Sequence, residues 1–146
     1  MQTTPLPNFA FMRTVLSFIL FAGLMLAAQA QLSVAYHQSS LPFAEVQVEI
    51  FDRLVPALRL GTNLNFDSFS PELVVTFQYL KQPDYEAYAG LGVRANAFEG
   101  LVVPAGINLF PFEQKKFGFH IELAALMGES EVLRGSWGIR YRFGGG

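Results

Sequence analysis

The chain has 146 residues, 51% hydrophobic and only 15% charged, with a formal net charge of −2 and no cysteine. That length suits a single domain. The missing cysteine excludes a disulfide framework, a thiolate metal centre and a thiol-linked lipid anchor. The apolar bias argues against disorder, and the absence of a basic run argues against nucleic-acid binding.

Residues 12–30 read MRTVLSFILFAGLMLAAQA. Arg13 stands before an apolar run over 15–27, and Ala28-Gln29-Ala30 offers small residues where a signal peptidase needs them. This is the three-part layout of a secretory signal, with cleavage expected after Ala30. The run is shorter than the roughly 20 residues of a membrane-spanning helix. Met12 is a plausible start, so the expected division is an extension and leader over 1–30 and a folded domain over 31–146.

Beyond residue 30 no segment keeps a helical period, whereas period-2 alternation recurs. Strands are predicted at 32–38, 44–51, 57–66, 72–80, 85–95, 100–110, 117–126 and 132–143. Clusters such as Ser39-Ser40-Leu41-Pro42 and Lys81-Gln82-Pro83-Asp84 punctuate them. Eight short strands of even spacing suggest an antiparallel sandwich or an up-and-down barrel.

Sorting the strands by parity separates two faces. One carries Val48, Leu60, Phe77, Leu91, Val103, Phe119, Ile121, Trp137 and Ile139, and no charge. The other carries Glu45, Glu49, Arg59, Glu72, Glu86, Arg94, His120, Glu122, Arg134, Arg140 and Arg142. Alternation alone does not say which face points outward, because a soluble barrel and a membrane barrel are mirror solutions. Several features favour the polar face inside. It is rich in glycine (Gly61, Gly90, Gly92, Gly100, Gly106, Gly118, Gly138), which a narrow interior needs beside large side chains. Its basic residues are all arginine, whose planar fork pairs well with carboxylates, while Lys81, Lys115 and Lys116 fall in turns. Tyr36, Phe43, Phe51, Phe66, Tyr79, Tyr85, Phe110, Phe112, Phe117, Tyr141 and Phe143 lie near strand ends, where interfacial girdles belong.

The leader ending Ala28-Gln29-Ala30, the alternating strands and the last strand, Ser136-Trp137-Gly138-Ile139-Arg140-Tyr141-Arg142-Phe143, together resemble the small eight-stranded outer-membrane β-barrel proteins of Gram-negative bacteria. The resemblance covers the chain after the leader and is one of pattern, not of a sequence motif. It implies an all-β, antiparallel up-and-down transmembrane barrel in the outer membrane. In that family a final strand with Tyr141 and Phe143 at such positions resembles the signal read by the barrel-assembly machinery, although Gly144-Gly145-Gly146 follows Phe143 here. The implied partners are outer-membrane lipid and that machinery.

The expected role is structural or envelope-maintaining, with a lumen filled by Glu–Arg pairs, no catalysis and no cofactor. Two other roles compete. His120, Glu122 and Ser136 share the polar face on neighbouring strands, and His37 lies near Ser39; either set suits a lipid-modifying hydrolase. A soluble lipocalin-like carrier would reverse the faces around an apolar ligand. Arg134, Arg140 and Arg142 could hold an anion, or pair with Glu45, Glu49 and Glu122. With only His37 and His120 as soft ligands, no metal centre is expected. Pro104 and the apolar Val74, Leu80 and Val102 disturb the pattern; Pro104 is expected to mark a bulge or a late strand start. Outward loops near 39–43, 67–71, 96–99 and 127–131 are short, which disfavours ligand capture.

Overall fold

A computed structural model of the protein describes residues 30–62 and 69–144, together with Ser17. The rest of the expected leader lies outside the described residues, as do Leu64 and Phe66. Eight strands follow in chain order: β1 (Gln31–Gln38), β2 (Phe43–Glu49), β3 (Leu54–Gly61), β4 (Pro71–Lys81), β5 (Tyr85–Arg94), β6 (Gly100–Leu109), β7 (Phe117–Gly128) and β8 (Val132–Phe143). Each pairs antiparallel with the next, and β8 returns to β1, so the sheet closes. Closure removes every exposed sheet edge. Leu32 faces Phe143 in register, which places both strand termini at one end of the barrel. The 50–53, 82–84 and 110–116 connections share that terminal end. The connections at 39–42, 95–99 and 129–131 form the opposite, loop end, where β3 also ends and β4 begins.

β3 starts at Leu54, three residues before its predicted start. Phe51 and Asp52 adopt left-handed backbone (φ 50° and 65°) in a three-residue turn. Ile50 and Leu54 close that turn with backbone bonds of 2.7 and 3.0 Å. Pro56 lies inside β3, opposite Val75. Among the described residues β3 ends at Gly61 and β4 begins at Pro71; the end of the predicted strand 57–66 lies outside them. Pro104 is neither a bulge nor a strand start. It sits within β6 opposite Ala124, and the β5–β6 register passes from Ala89↔Ala105 to Gly92↔Val102 unshifted. The bulge lies instead in β4, between Gln78 and Leu80. It turns Leu80 outward, 39% exposed, where strict parity would place it inside.

Parity becomes geometry in the closed sheet. Val74, Gly92, Val102, Leu126 and Val132 form one cross-strand row over β4–β8. Val74, Val102, Ala124 and Leu126 pack there as an apolar plug toward the loop end. Gly92 makes the row possible: a Cβ there would lie 2.4 Å from the Leu73 carbonyl oxygen and 2.6 Å from a Val74 methyl. Outward, every strand exposes large apolar side chains, from Leu32 and Val46 to Leu133 and Trp137. Val48, Leu60 and Val103 are half-buried on the same face, and Phe77, Leu91, Phe119, Ile121 and Ile139 are exposed. Ala87, outward by parity, is nevertheless buried. It lies in register between Leu80 and Ile107.

Candidate functional site: a lumen of crossed ion pairs

The inward side chains meet through register. One row runs Arg140, Ala35, Glu45, Arg59, Glu72, Arg94 across β8, β1, β2, β3, β4 and β5. Its charges alternate in sign apart from Ala35, and opposite charges directly across a sheet attract. Arg59 Nε donates to Glu45 at 2.6 Å. Its two terminal nitrogens reach across the lumen to Glu122 on β7, at 2.9 and 2.6 Å. Arg94 Nη1 donates to Glu72 at 3.1 Å, and Arg134 from β8 grips the same carboxylate with both terminal nitrogens. Arg140 Nη2 bonds Glu45 at 2.8 Å, reaching over Ala35. Nearer the terminal end, Arg142 pairs with Glu86 at 2.6 Å, and Gln78 and Asn108 also donate to Glu86.

A repeated device brings these groups together: a small residue stands between two large polar ones in the same row. Ala35 separates Arg140 from Glu45. Gly106 separates Tyr88 from Glu122, and the Tyr88 hydroxyl donates to Glu122 across it at 2.8 Å. Gly138 separates His37 from His120, whose rings lie 3.8 Å apart. A Cβ at Gly106 would sit 2.6 Å from both the Ile121 carbonyl oxygen and the Tyr88 hydroxyl. Gly106→Ala is therefore expected to cost about 1–3 kcal/mol, the usual range for overpacking. A lowered urea midpoint at unchanged slope would show it. Adding Tyr88→Phe should not restore the midpoint, because the Ile121 oxygen is backbone.

The sequence-predicted residues fall as follows. Glu45, Arg59, Glu72, Glu86, Arg94, His120, Glu122, Arg134 and Arg140 are all buried inside, and Arg142 is 12% exposed near the rim. Glu49 keeps the inward parity but takes a lysine as its partner, not an arginine. It is half-buried at the terminal end and pairs with Lys81, which also donates to the Asp52 carboxylate at 2.9 Å. That hydrogen bond and charge hold the Asp52 carboxyl below its ordinary range. The arginine cluster is not an open anion site, since each member has a carboxylate: Arg140 takes Glu45 as expected, whereas Arg134 takes Glu72 with Glu122 more distant at 3.8 Å, and Arg142 takes Glu86.

Phe43 and Phe110 are not girdle residues. Both turn inside and are almost fully buried. The Phe43 ring lies under the Arg59 and Arg134 guanidiniums, at 5.0 and 4.3 Å, and Phe110 under Arg142 at 3.6 Å. These faces give the cations attraction beyond that of their carboxylates. Parity could have found Tyr88, which shares the face of Glu86 and Gly90; Phe43 likewise shares that of Glu45.

The candidate hydrolase set is rearranged. Glu122 is committed to Arg59 and Tyr88, and neither His120 nitrogen has a hydrogen-bond partner among the described residues. Ser136 Oγ instead meets His37 Nδ1 at 3.3 Å, and His37 Nε2 lies 3.6 Å from Glu45. Phe43 stacks on His37 at 4.1 Å. Ser136, His37 and Glu45 are each at most 4% exposed. Ser39 is not part of this line; its hydroxyl accepts from the Leu41 backbone. The neighbouring recess, lined by Glu45, Arg59, Gln78, Tyr88, Asn108 and Arg140 among others, has essentially no volume for a water molecule. An eight-stranded barrel is just wide enough for its side chains to fill.

No family model matches the chain, and no curated protein matches it. Solved structures do. The de novo designed barrel TMB2.3, determined by solution NMR, has a TM-score of 0.61 at 19% identity, covering 80% of this chain and 94% of its own. A second structure, titled as de novo design of transmembrane β-barrels, has a TM-score of 0.54 at 18% identity, covering 78% and 94%. The outer membrane protein Ail of Yersinia pestis is matched at 13% identity with a TM-score of 0.47, covering 78% and 98%. The likeness to the two designed barrels is one of fold alone.

Proposed function

We propose that the protein is an integral outer-membrane β-barrel with a structural or envelope-maintaining role, inserted by the barrel-assembly machinery and performing no catalysis. The observation that carries this is the inside-out distribution of polarity. No charged strand residue is exposed on the outer face, while Leu133, Trp137 and Ile121 are 73%, 64% and 62% exposed there. A soluble monomer rarely exposes apolar surface so continuously, whereas lipid requires it. The packed lumen supports a structural role over a pore, and the sealed Ser136–His37–Glu45 line supports packing over hydrolysis.

Fractionation with heat-modifiability tests this. The protein should stay with the outer membrane through an alkaline wash, and unboiled protein should migrate differently from boiled protein on a denaturing gel. Release into the soluble periplasm with unchanged mobility would reverse the faces and leave the apolar-ligand carrier. For the enzymatic alternative, Ser136→Ala should cost about 1 kcal/mol, the value of one hydrogen bond. Lipase or deacylase activity in the native protein that Ser136→Ala abolishes would overturn the non-catalytic role.

A further inference from the structure

The 110–116 connection sends its two adjacent lysines to different places. Lys115 has a left-handed backbone (φ 51°), and its ammonium is held by the Asp84 carboxylate and the Phe110 carbonyl. Lys116 lines an open recess of about 540 Å³ on the outer wall, with Phe112, Glu113, Gln114, Phe117 and Tyr141. A second recess of about 200 Å³ shares Phe117 and Tyr141 and extends along Val34, Tyr36 and Ile139 toward the middle of the barrel. Tyr141 and Phe117 are register partners, as are Ile139 and Tyr36, so the two recesses form one trough over β7, β8 and β1. Two rings of its wall, Phe112 and Phe117, pack against each other at 5.8 Å.

The mouth of the trough carries two charged side chains of opposite sign. Lys81 and Lys115 are both paired with carboxylates. Lys116 and Glu113 both line the trough, and neither forms an ion pair or side-chain hydrogen bond among the described residues. An apolar channel thus ends in one unpaired cation and one unpaired anion.

We infer that the trough seats one phospholipid whose headgroup carries a phosphate and a primary ammonium. Its acyl chain lies along Tyr36, Phe117, Ile139 and Tyr141. Its phosphate accepts from Lys116, and its ammonium donates to Glu113. A purely anionic headgroup would meet repulsion at Glu113, and a quaternary ammonium has no N–H to donate. The inference rests on the membrane placement proposed above.

The test uses the full-length protein processed to its folded form and inserted into vesicles of equal parts phosphatidylethanolamine, phosphatidylcholine and phosphatidylglycerol, followed by native mass spectrometry from mild detergent. One phosphatidylethanolamine should be retained in preference to the others. Lys116→Gln and Glu113→Gln should each lower its retention about fivefold, the loss expected for an interfacial charge contact near 1 kcal/mol. Three results would overturn the inference: equal retention of phosphatidylcholine, preferred retention of phosphatidylglycerol through Lys116 alone, or retention indifferent to both substitutions. Vesicle flotation and heat-modifiability on the same samples separate the two levels. A protein that floats without the lipid preference contradicts only the inferred site; one that does not float contradicts the membrane placement as well.

Discussion

Replacing Arg59 by methionine is expected to cost the folded barrel about 3–5 kcal/mol, the price of leaving buried charge without its partner. Arg59 is 1% exposed and bridges Glu45 on β2 to Glu122 on β7 through three hydrogen bonds of 2.6–2.9 Å. Without it, Glu45 keeps Arg140, and Glu122 keeps Tyr88 and a more distant Arg134. Neither carboxylate can turn to water, because the lumen around them is filled. Lysine at position 59 should recover only part of the loss, since one ammonium cannot hold a carboxylate side-on while donating to a second. Adding Glu122→Leu to Arg59→Met should be less damaging than the sum of the single substitutions, with a coupling of about 0.5–3 kcal/mol as for residues in direct contact. Equilibrium urea unfolding of the refolded barrel measures all four variants. An Arg59→Met midpoint indistinguishable from the native one would mean the network is not what holds the lumen.

The second large effect is on the other face. Leu91→Arg should cost about 2–4 kcal/mol if Leu91 lies near the bilayer midplane. The same substitution on a solvent-exposed strand face would usually fall within about ±0.5 kcal/mol. Leu91 is 55% exposed, flanked in register by Val75 on β4. No carboxylate on the outer strand face is exposed to receive an arginine there. Glu129→Arg, in the 129–131 connection, provides the matched control and should be tolerated. The two substitutions carry the same new side chain, so the contrast isolates the medium each position meets. Equal tolerance at both positions would contradict the assignment of faces.

Most of the barrel was legible because a strand has a period of two and this chain obeys it almost everywhere. Charges on one parity identified the lumenal residues before any pairing was known. Where the sequence misled, a local event had broken the period. The turn at Phe51-Asp52 carries no glycine or asparagine to announce its left-handed backbone, and Pro56 disguises the start of β3. The β4 bulge moves Leu80 across faces. Phe43 and Phe110 look like girdle residues because they end or follow strands, yet each serves as a floor for a guanidinium. The partners inside the lumen were less legible than its membership. Ser136 meets His37 rather than His120 because the β1–β8 register sets His37 opposite Gly138, and one sequence does not reveal the closing register of a barrel. The same holds for Arg142, which reaches Glu86 on β5 across the lumen and not Glu49.

The small residues between large polar ones are the feature that links these scales. Ala35, Gly106 and Gly138 contribute little surface themselves, but each permits a contact between its two row neighbours. A glycine-rich polar face therefore signals close approach of side chains and backbone from adjacent strands as much as a shortage of lumenal volume.

Trp137 tests the central claim most directly. It is the only tryptophan in the chain, it lies on β8 beside Ile121, and it is 64% exposed on the outer face. In vesicles, its fluorescence should be quenched by phospholipids brominated along the acyl chain and unaffected by aqueous iodide. Quenching by iodide, with brominated chains having no effect, would place that face in water and contradict a barrel with its apolar surface in lipid.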